Sequence, residues 1–386
     1  MRTRVPDDEF EQRLAAVRDR LSEAGADAAA FFDATSIEYL TGFDHIQTER
    51  PVVLGVTAET VAITVPRLEV ERVAPTPRIR SVRSYFDYPQ GEPIAVAVEM
   101  LADLGAETVA ADMDGAPGIM GYEGPDLSES SLSVETQGWV PKLRSAKSRA
   151  EIELIETSAH WANLGHRYLA DLTAPGEHPV TVSQEATTKA SRAMLDALGD
   201  RYEARTRGSG PVFAGYISGE QTRLPHGHTA NRRLQEGDVL ITGASANVAG
   251  YHSELERTMF VGEPTAEQRR YFQIMLDAQD AAFDAMGPGV PLADVAEAVW
   301  AVFEDEDVTD LARHHVGHNI GLGGHEPPYI DRGAEGEMQV GEVYTIEPGL
   351  YTEDAGYRHS DTVAITEDGL DFLTYFPRSL AGNVID

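Results

Sequence analysis

The pattern of helix and strand signals changes once along this chain, near residue 135, and this change constrains the fold most strongly. Before it, an amphipathic helical pattern is followed by short apolar runs such as AAAFFD, PVVLGV and ETVAADM. Strand-like runs that alternate with helices are typical of an α/β domain, which we predict for residues 1–135. The polar, serine-rich segment at residues 126–138 is predicted to be a linker.

Residues 136–386 have a different organisation, in which helices are separate from strand-rich segments. Ser148 with Glu151, and Thr265 with Gln268, have the spacing of a capping box at the start of a helical pattern. Strand-rich segments follow, including GDVLITGASA, GEVYTIEPGLY and YRHSDTVAIT. Helices segregated from a curved antiparallel sheet indicate an α+β fold for this domain, and we predict the α+β class for the chain.

Composition excludes several classes of partner and site. The chain has 64 acidic and 31 basic residues, a formal net charge of -33, and no cysteine. Such an acidic surface is typical of proteins from salt-accumulating halophiles, and it disfavours binding to nucleic acid or to an anionic membrane. Without cysteine, a metal must be bound by His, Asp or Glu. The chain has no apolar stretch of about 18 residues and no signal peptide, so we expect a cytoplasmic protein.

The segment GYHSELERTMF at residues 250–260 concentrates charge. In a β-strand, His252, Glu254 and Glu256 would point to the same face. Carboxylates this close raise one another's pKa, so the arrangement indicates a metal, a cationic substrate or open water. A solvated strand face is the ordinary alternative in so acidic a protein.

Six of the twelve histidines fall in two short segments, LPHGHT and HHVGHNIGLGGHEPP. Both are punctuated by glycine and proline, and such loops are where a rigid scaffold commonly presents site residues. The chain has no GxSxG, Walker, HExxH or Rossmann glycine pattern, so serine-nucleophile, nucleotide and dinucleotide chemistry lack support.

Six motifs in order resemble the pita-bread family, which contains methionine aminopeptidase, Xaa-Pro aminopeptidase, prolidase and creatinase. They are LRSAKSRAEIELIE, PHGHTANRRLQEGDVL, GYHSELERTMFVG, HHVGHNIGLGGHEPP, TIEPGLY and GYRHSDTVAIT, and they span residues 143–370. SIEYLTGF at residues 36–43 resembles the N-terminal domain of the prolidase and creatinase branch. The resemblance implies a C-terminal pita-bread domain, a smaller N-terminal creatinase-type domain and a homodimer.

The resemblance also implies where metal ligands would lie. Peptidase members bind two divalent cations with two Asp, one His and two Glu side chains. Three of these positions are occupied here by Glu254, His318 and Glu347, whereas the other two are Gly243 and Ser360. We therefore expect no paired-ion centre. No cofactor is expected, or at most a single divalent cation (Mn, Co or Zn) on those three residues.

Other site residues follow from the resemblance to creatinase, a metal-free member that hydrolyses a guanidinium C–N bond. Its LERT run matches residues 255–258, which implies that Glu256, with Glu347, binds a cationic substrate. His226 then matches the general base of creatinase, whereas His325 matches a second active-site histidine of the peptidases and Arg358 an arginine near the substrate carboxylate. The predicted substrate-binding residues are His228, His318, His359 and, contributed to a neighbouring subunit, Arg50.

Three functions are compatible with these residues. The main hypothesis is a hydrolase that cleaves a C–N bond of a small amidine, guanidine or amide without a paired-metal centre. The alternative is a metal-dependent Xaa-Pro aminopeptidase or dipeptidase. The second alternative is a non-catalytic pita-bread binding protein. The substrate is expected to be a small molecule or a dipeptide in each enzymatic case.

Overall fold

The computed structural model describes residues 1–88, 90–115, 119–203, 205 and 210–385. These residues form two units, one made of Pro6–Arg144 and the other of Met1–Val5 with Ser145–Asp386. Within the described residues, no helix combines the length and the apolar character needed to cross a membrane. The mixture of helices and sheets confirms the predicted α+β class.

The amino-terminal unit contains a six-stranded sheet in the order β4-β3-β2-β1-β5-β6. Its strands are β1 (Ala28–Phe31), β2 (Val53–Val56), β3 (Val61–Pro66), β4 (Ser81–Tyr85), β5 (Thr108–Ala111) and β6 (Ser133–Thr136). Its helices are α1 (Asp7–Ala24), α2 (Ala34–Thr41), α3 (Val70–Val73) and α4 (Pro93–Asp103), and α5 (Trp139–Ser145) follows. Strands β1, β2 and β3 are buried at every residue, which explains their continuous apolar sequences.

The predicted linker was wrong for residues 133–136. These residues form β6, which pairs in parallel with β5 at the edge of the sheet. Three of its four residues are exposed, so its polar sequence reflects an edge position rather than a disconnected segment.

The carboxy-terminal unit contains four long helices and three sheets among its described residues. The helices are α6 (Arg149–Leu172), α7 (Pro179–Leu198), α8 (Ala266–Ala285) and α9 (Leu292–Asp305). Both predicted capping boxes are confirmed: the hydroxyls of Ser148 and Thr265 accept the N–H groups of Glu151 and Gln268, each at 3.2 Å. These caps satisfy backbone donors that the first helical turn leaves free.

The sheets of this unit have the orders β11-β10-β12-β15-β16, β17-β9-β8-β7 and β13-β14. Their strands are β7 (Val212–Ser218), β8 (Val239–Ala246), β9 (Thr258–Val261), β10 (Gly317–Asn319), β11 (Glu326–Ile330), β12 (Val343–Ile346), β13 (Gly349–Tyr351), β14 (Gly356–Arg358), β15 (Asp361–Thr366), β16 (Gly369–Phe372) and β17 (Val384–Ile385). Helices α8 and α9 pack on β12 and β15, whereas α6 and α7 pack on β7 and β8. An isolated bridge between Glu256 and Ser360 brings the segments before β9 and β15 side by side.

Candidate active site

The charged segment before β9 is less regular than the sequence predicts, because regular strand structure begins only at Thr258. Glu254 and Glu256 nevertheless approach the same buried cleft, where both interact electrostatically with Glu347. His252 does not share this position: its ring contacts the Asn247 amide at 3.3 Å. The predicted cluster is therefore a pair of carboxylates without the imidazole.

A buried arginine fixes the backbone of both segments that carry the site. The Arg257 guanidinium is fully buried, and its Nη1 donates to the carbonyl oxygens of Glu256 at 2.7 Å and Ser360 at 3.0 Å. Its Nη2 donates to Asp361 Oδ1 at 2.7 Å. One side chain thus satisfies carbonyls on two segments more than 100 residues apart.

Glu254, His318 and Glu347 form a group whose ligand atoms all lie within 4.8 Å of one another. We call these three residues the ion side of the cleft. His318 Nε2 lies 3.3 Å from Glu347 Oε1 and 3.9 Å from Glu254 Oε2. The opposite ring nitrogen, Nδ1, lies 3.0 Å from the Asn319 carbonyl, to which it can donate. Nε2 faces the two carboxylates. Burial opposes the charged form of His318, but Glu347 and Glu254 outweigh burial and raise its pKa.

The two carboxylates of this group differ in their pKa. Burial raises the pKa of Glu254 to about 8, and the negative charges of Glu347 and Glu256 raise it further. The pKa of Glu347 is lowered to about 2, because His318 and Arg358 outweigh the opposing effect of burial. A cation between Glu254 and Glu347 would favour the ionised form of both.

Glu256 and Arg358 form the arginine side of the cleft. Arg358 Nε and Nη2 donate to the two carboxylate oxygens of Glu256 at 2.5 and 2.8 Å. Arg358 Nη1 donates to the Tyr351 hydroxyl at 3.0 Å and the Pro225 carbonyl at 3.2 Å. Because an internal guanidinium occupies both oxygens of Glu256, the predicted role of Glu256 as receptor for a substrate guanidinium is not supported by this geometry.

Gly243 and Ser360 do not provide ligands for a second ion. Gly243 lies on β8, directly opposite Gly215 of β7, and a Cβ atom there would meet Phe213 at 3.7 Å and Glu256 Oε1 at 3.9 Å. The Ser360 hydroxyl donates to Glu254 Oε1 at 2.7 Å, so it orients a ligand of the ion side. The residues present fit one divalent cation on the ion side, and they do not fit a pair.

Histidines surround the ion side. The ring of His325 stacks on that of His318 at a centroid distance of 3.8 Å, and burial together with the charge of His318 lowers the pKa of His325. His226, also exposed, is close enough for its charge to affect His325. His228 lines a cavity of about 360 Å³ together with Gly243, Glu256 and Arg358.

Sequence reasoning missed two neighbouring histidines. His315 Nε2 lies 3.8 Å from Glu347 Oε1, and His314 Nε2 lies 2.8 Å from the Tyr351 hydroxyl that accepts from Arg358. His315 also joins His318 and His325 in a second group of three histidines. Their position in the HHVGH segment was the available signal.

One predicted substrate-binding residue, His359, is not brought to this cleft. His359 is fully buried, lies edge-on to Phe272 at 5.1 Å and interacts electrostatically with Arg257. Side chains alternate along the extended segment, so Arg358 and Ser360 face the cleft while His359 faces the core behind it. Arg50 belongs to the amino-terminal unit, where it pairs with Glu49 and, at 2.6 Å, with Asp87, and its contribution to a neighbouring subunit stays a prediction.

Comparison with known proteins places this architecture in a family. Residues 153–367 match the profile of metallopeptidase family M24, and residues 13–123 match the creatinase/prolidase N-terminal domain. The chain belongs to metallopeptidase family M24. The predicted resemblance to the pita-bread family and the predicted pair of domain types are therefore confirmed for this M24 protein.

Similar proteins carry peptidase names. The chain is 32% identical over 244 residues to an Xaa-Pro dipeptidase of Pyrococcus furiosus, which covers 62% of this chain and 66% of that protein. Dipeptidase PepE of Mycobacterium ulcerans superposes with a TM-score of 0.79 at 26% identity, and the match covers 99% of each chain. An X-Pro aminopeptidase of Thermotoga maritima shares the fold, with a TM-score of 0.82 at 21% identity over 97% of this chain and 99% of that one.

Proposed function

We propose that this M24 protein is a peptidase that depends on a single divalent cation and hydrolyses short substrates of the Xaa-Pro type. The proposal rests on the geometry of the ion side, where the ligand atoms of Glu254, His318 and Glu347 lie within 4.8 Å of one another. Two carboxylates and an imidazole are a suitable ligand set for Mn, Co or Zn. The peptidase names of the relatives support the same conclusion.

The side chains on the ion side are held in place before any ligand binds. His318 is oriented by the Asn319 carbonyl, and Glu254 is oriented by the Ser360 hydroxyl. His318 Nε2 is buried and has no hydrogen bond of acceptable geometry within the described part of the chain. A buried nitrogen aimed at two carboxylates is the arrangement expected of a ligand. When bound, a divalent ion there polarises a carbonyl oxygen and lowers the pKa of water.

Histidines at the open side of the cleft are suited to proton transfer. Peptide hydrolysis adds water across the C–N bond, so one proton leaves the water and one is delivered to the departing amine. We assign the first transfer to His226 and the second to His325, whose ring stacks on the ligand His318. One imidazole nitrogen can accept a proton and the other can donate one, which suits both roles.

The second candidate is hydrolysis of an amidine or guanidine C–N bond without an ion. Gly243 and Ser360 favour it, since they remove the carboxylates that would hold a paired-metal centre. The ion pair between Glu256 and Arg358 weighs against it, because the proposed receptor for the substrate cation is already occupied. A purely non-catalytic role gives no reason for the convergence of His226, His325 and the ion side.

The experiment is an assay of protein purified in concentrated salt, before and after chelation and after return of Mn²⁺, Co²⁺ or Zn²⁺. Dipeptides with a carboxy-terminal proline should be hydrolysed only when a cation is present. Their analogues without proline should be cleaved more slowly. Hydrolysis of a guanidine or amidine that survives chelation would instead support the second candidate.

A further inference from the structure

All three lysines of the chain lie in the part that the structure describes, and Lys147 is the buried one. Its side chain is 1% exposed, and it directly precedes Ser148, the residue that caps helix α6. A buried ammonium group is costly unless acceptors surround it, so the partners of Lys147 indicate its role.

Three acceptors surround the Lys147 ammonium group. Nζ donates to the side-chain oxygen of Asn319 and, at 3.0 Å, to the carbonyl of Ser145. It also donates to Glu326 Oε2 at 3.3 Å, and the Glu326 side chain is 4% exposed. An ammonium group has three protons to donate, so this environment matches it.

Two of these acceptors belong to residues that directly follow cleft histidines. Asn319 follows His318, and its backbone carbonyl lies 3.0 Å from His318 Nδ1. Glu326 follows His325, whose ring stacks on that of His318 at a centroid distance of 3.8 Å. Lys147 thus bonds to the neighbours of both rings, one the proposed metal ligand and the other the proposed proton donor.

The loop between these two histidines has little stiffness of its own. It connects β10 with β11 and contains Gly321, Gly323 and Gly324, and glycine restricts the backbone least. A Cβ atom on Gly321 would lie 2.8 Å from Lys147 Cε, so glycine gives the lysine side chain room to pass. Glu326 Oε1 accepts the N–H of Gly323 at 2.5 Å. Lys147 and Glu326 therefore hold a loop that glycine leaves free to move.

We propose that Lys147 is a positioning residue that sets the place of the His325 ring relative to His318, because it holds Asn319 and Glu326 at the two ends of one loop. This inference rests on the proposed function, since it presumes that His318 binds a cation and that His325 delivers a proton. Lys147 acts through its two partners and needs no contact with the substrate. A displacement of about 1 Å in the reacting groups can cost roughly 100-fold in rate.

The test compares Lys147→Met with Lys189→Met, a control at an exposed lysine that pairs with Glu185 at 3.0 Å on α7. At saturating Mn²⁺, Lys147→Met should lower kcat for Xaa-Pro dipeptides roughly 10- to 100-fold, with KM within about twofold of the wild type. Lys189→Met should keep the kcat of the wild type. An ion pair that only stabilises the fold would lower the free energy of unfolding and leave kcat of the folded variant unchanged, and that result would overturn the inference.

A second readout needs neither cation nor substrate. In metal-free protein with carbon-13-labelled histidine, nuclear magnetic resonance reports the stacking of His325 on His318, since the ring current of one imidazole shifts the resonances of the other. Both resonances should shift or broaden in Lys147→Met and stay in place in Lys189→Met. Unchanged resonances in a folded Lys147→Met would overturn the inference. Absence of hydrolysis by the wild type would overturn the proposed function, and the resonances would still decide whether Lys147 holds the two rings.

A double variant keeps the inference testable if Lys147→Met does not fold. Lys147→Met combined with Glu326→Gln removes both charges, and neutral replacement of a buried ion pair is often tolerated. This variant should still show the lower kcat and the shifted histidine resonances, because the ammonium group that joins Asn319 to residue 326 is gone. Wild-type values for both would contradict the inference.

Chemical rescue separates the charge of Lys147 from its packing. The chain has no cysteine, so Lys147→Cys introduces a single thiol. Alkylation of the unfolded variant with 2-bromoethylamine restores an ammonium group at the length of lysine, and the refolded product should regain kcat relative to wild type refolded in the same way. The uncharged S-propyl product has the same length and should not. Equal recovery by both products would overturn the inference, since packing alone would then hold the loop.

Discussion

The two sides of the cleft are built from the same kind of residue but differ in how its charge is balanced. On the arginine side, Glu256 receives two hydrogen bonds from Arg358. On the ion side, Glu254 Oε1 accepts the Ser360 hydroxyl, and the pKa of Glu254 is raised to about 8 because of burial. The arginine side is neutralised by its own guanidinium, whereas the ion side is the part of the cleft that we propose binds a cation.

This difference separates a structural charge pair from a binding site. A buried carboxylate with a fixed guanidinium is strongly bound, and it has little capacity left for a ligand. A buried carboxylate beside an imidazole nitrogen and a second carboxylate gains most from a metal ion. The following changes test that distinction, in order of decreasing effect.

The largest effect is expected from removal of a ligand on the ion side. His318→Ala deletes the central nitrogen between Glu254 and Glu347, so the protein should lose its cation and its peptidase activity should fall to background. Elemental analysis and a dipeptide assay check both outcomes. His160→Ala is the control, since His160 contacts Tyr375 at 3.3 Å elsewhere in the unit. Full activity of His318→Ala would place the chemistry outside the ion side.

The next effect concerns proton transfer at the open side of the cleft. His226→Ala should lower kcat by roughly 100- to 10,000-fold, which is the usual contribution of a general acid or base. The bound cation should be retained, because His226 is not among the three ligands. Elemental analysis together with steady-state kinetics separates this outcome from that of His318→Ala. A kcat equal to that of the wild type would assign the proton transfer to another group.

A stability effect is expected where Arg257 joins the two segments of the site. Arg257→Met removes the nearer of the two arginines around the buried Asp361, which leaves Arg378 at 3.6 Å, and it also removes the donors to the carbonyls of Glu256 and Ser360. Loss of one member of a buried ion pair costs about 3–5 kcal/mol. Denaturant titration should show this decrease in the free energy of unfolding.

Arg232→Met is the matched control for that change, because the Arg232 side chain is 34% exposed. A partly exposed ion pair contributes about 0–1 kcal/mol. Equal losses in the two variants would show that the buried position of Arg257 is not what makes its ion pair important.

The sequence predicts those features that depend on local or periodic signals. The capping boxes at Ser148 and Thr265 are each defined by residues three positions apart, and both are present. Strand β6 was missed because an edge strand with exposed side chains has no apolar pattern. The class of fold and the family followed from the order of motifs along the chain.

The arginine side was beyond sequence reasoning for a physical reason. Glu256 and Arg358 are 102 residues apart, and they meet only because the Glu256–Ser360 bridge aligns their segments. No local pattern indicates which cation will balance a given glutamate. The prediction that His252 shares a face with Glu254 and Glu256 was wrong for a local reason. It assumed that side chains alternate strictly along a strand, but regular strand structure begins only at Thr258.

The smallest predicted effect lies behind the cleft, where His166 is fully buried. Its Nε2 lies 2.6 Å from the Thr242 hydroxyl, whose oxygen accepts the backbone N–H of Arg257. Burial, and secondly the charge of Arg257, lowers the pKa of His166 to about 3. His359, also buried, has a pKa lowered in the same direction by burial and Arg257.

The sign of the pH dependence follows from these directions. An unfolded chain protonates histidine below a pKa of about 6.5, whereas the folded protein keeps His166 neutral, so the unfolded state binds more protons as pH falls. The contribution of His166 to the free energy of unfolding should therefore be nearly constant above neutral pH and decrease below it, by about 1 kcal/mol between pH 7 and 5.5. His166→Gln should reduce that slope in denaturant titrations at matched salt, whereas His160→Gln, at a half-buried histidine whose pKa burial lowers less, should reduce it by a smaller amount. An identical slope in wild type and His166→Gln would mean that His166 can be protonated in the folded protein. The core behind the arginine side would then be less rigid than the contacts of Arg257 indicate.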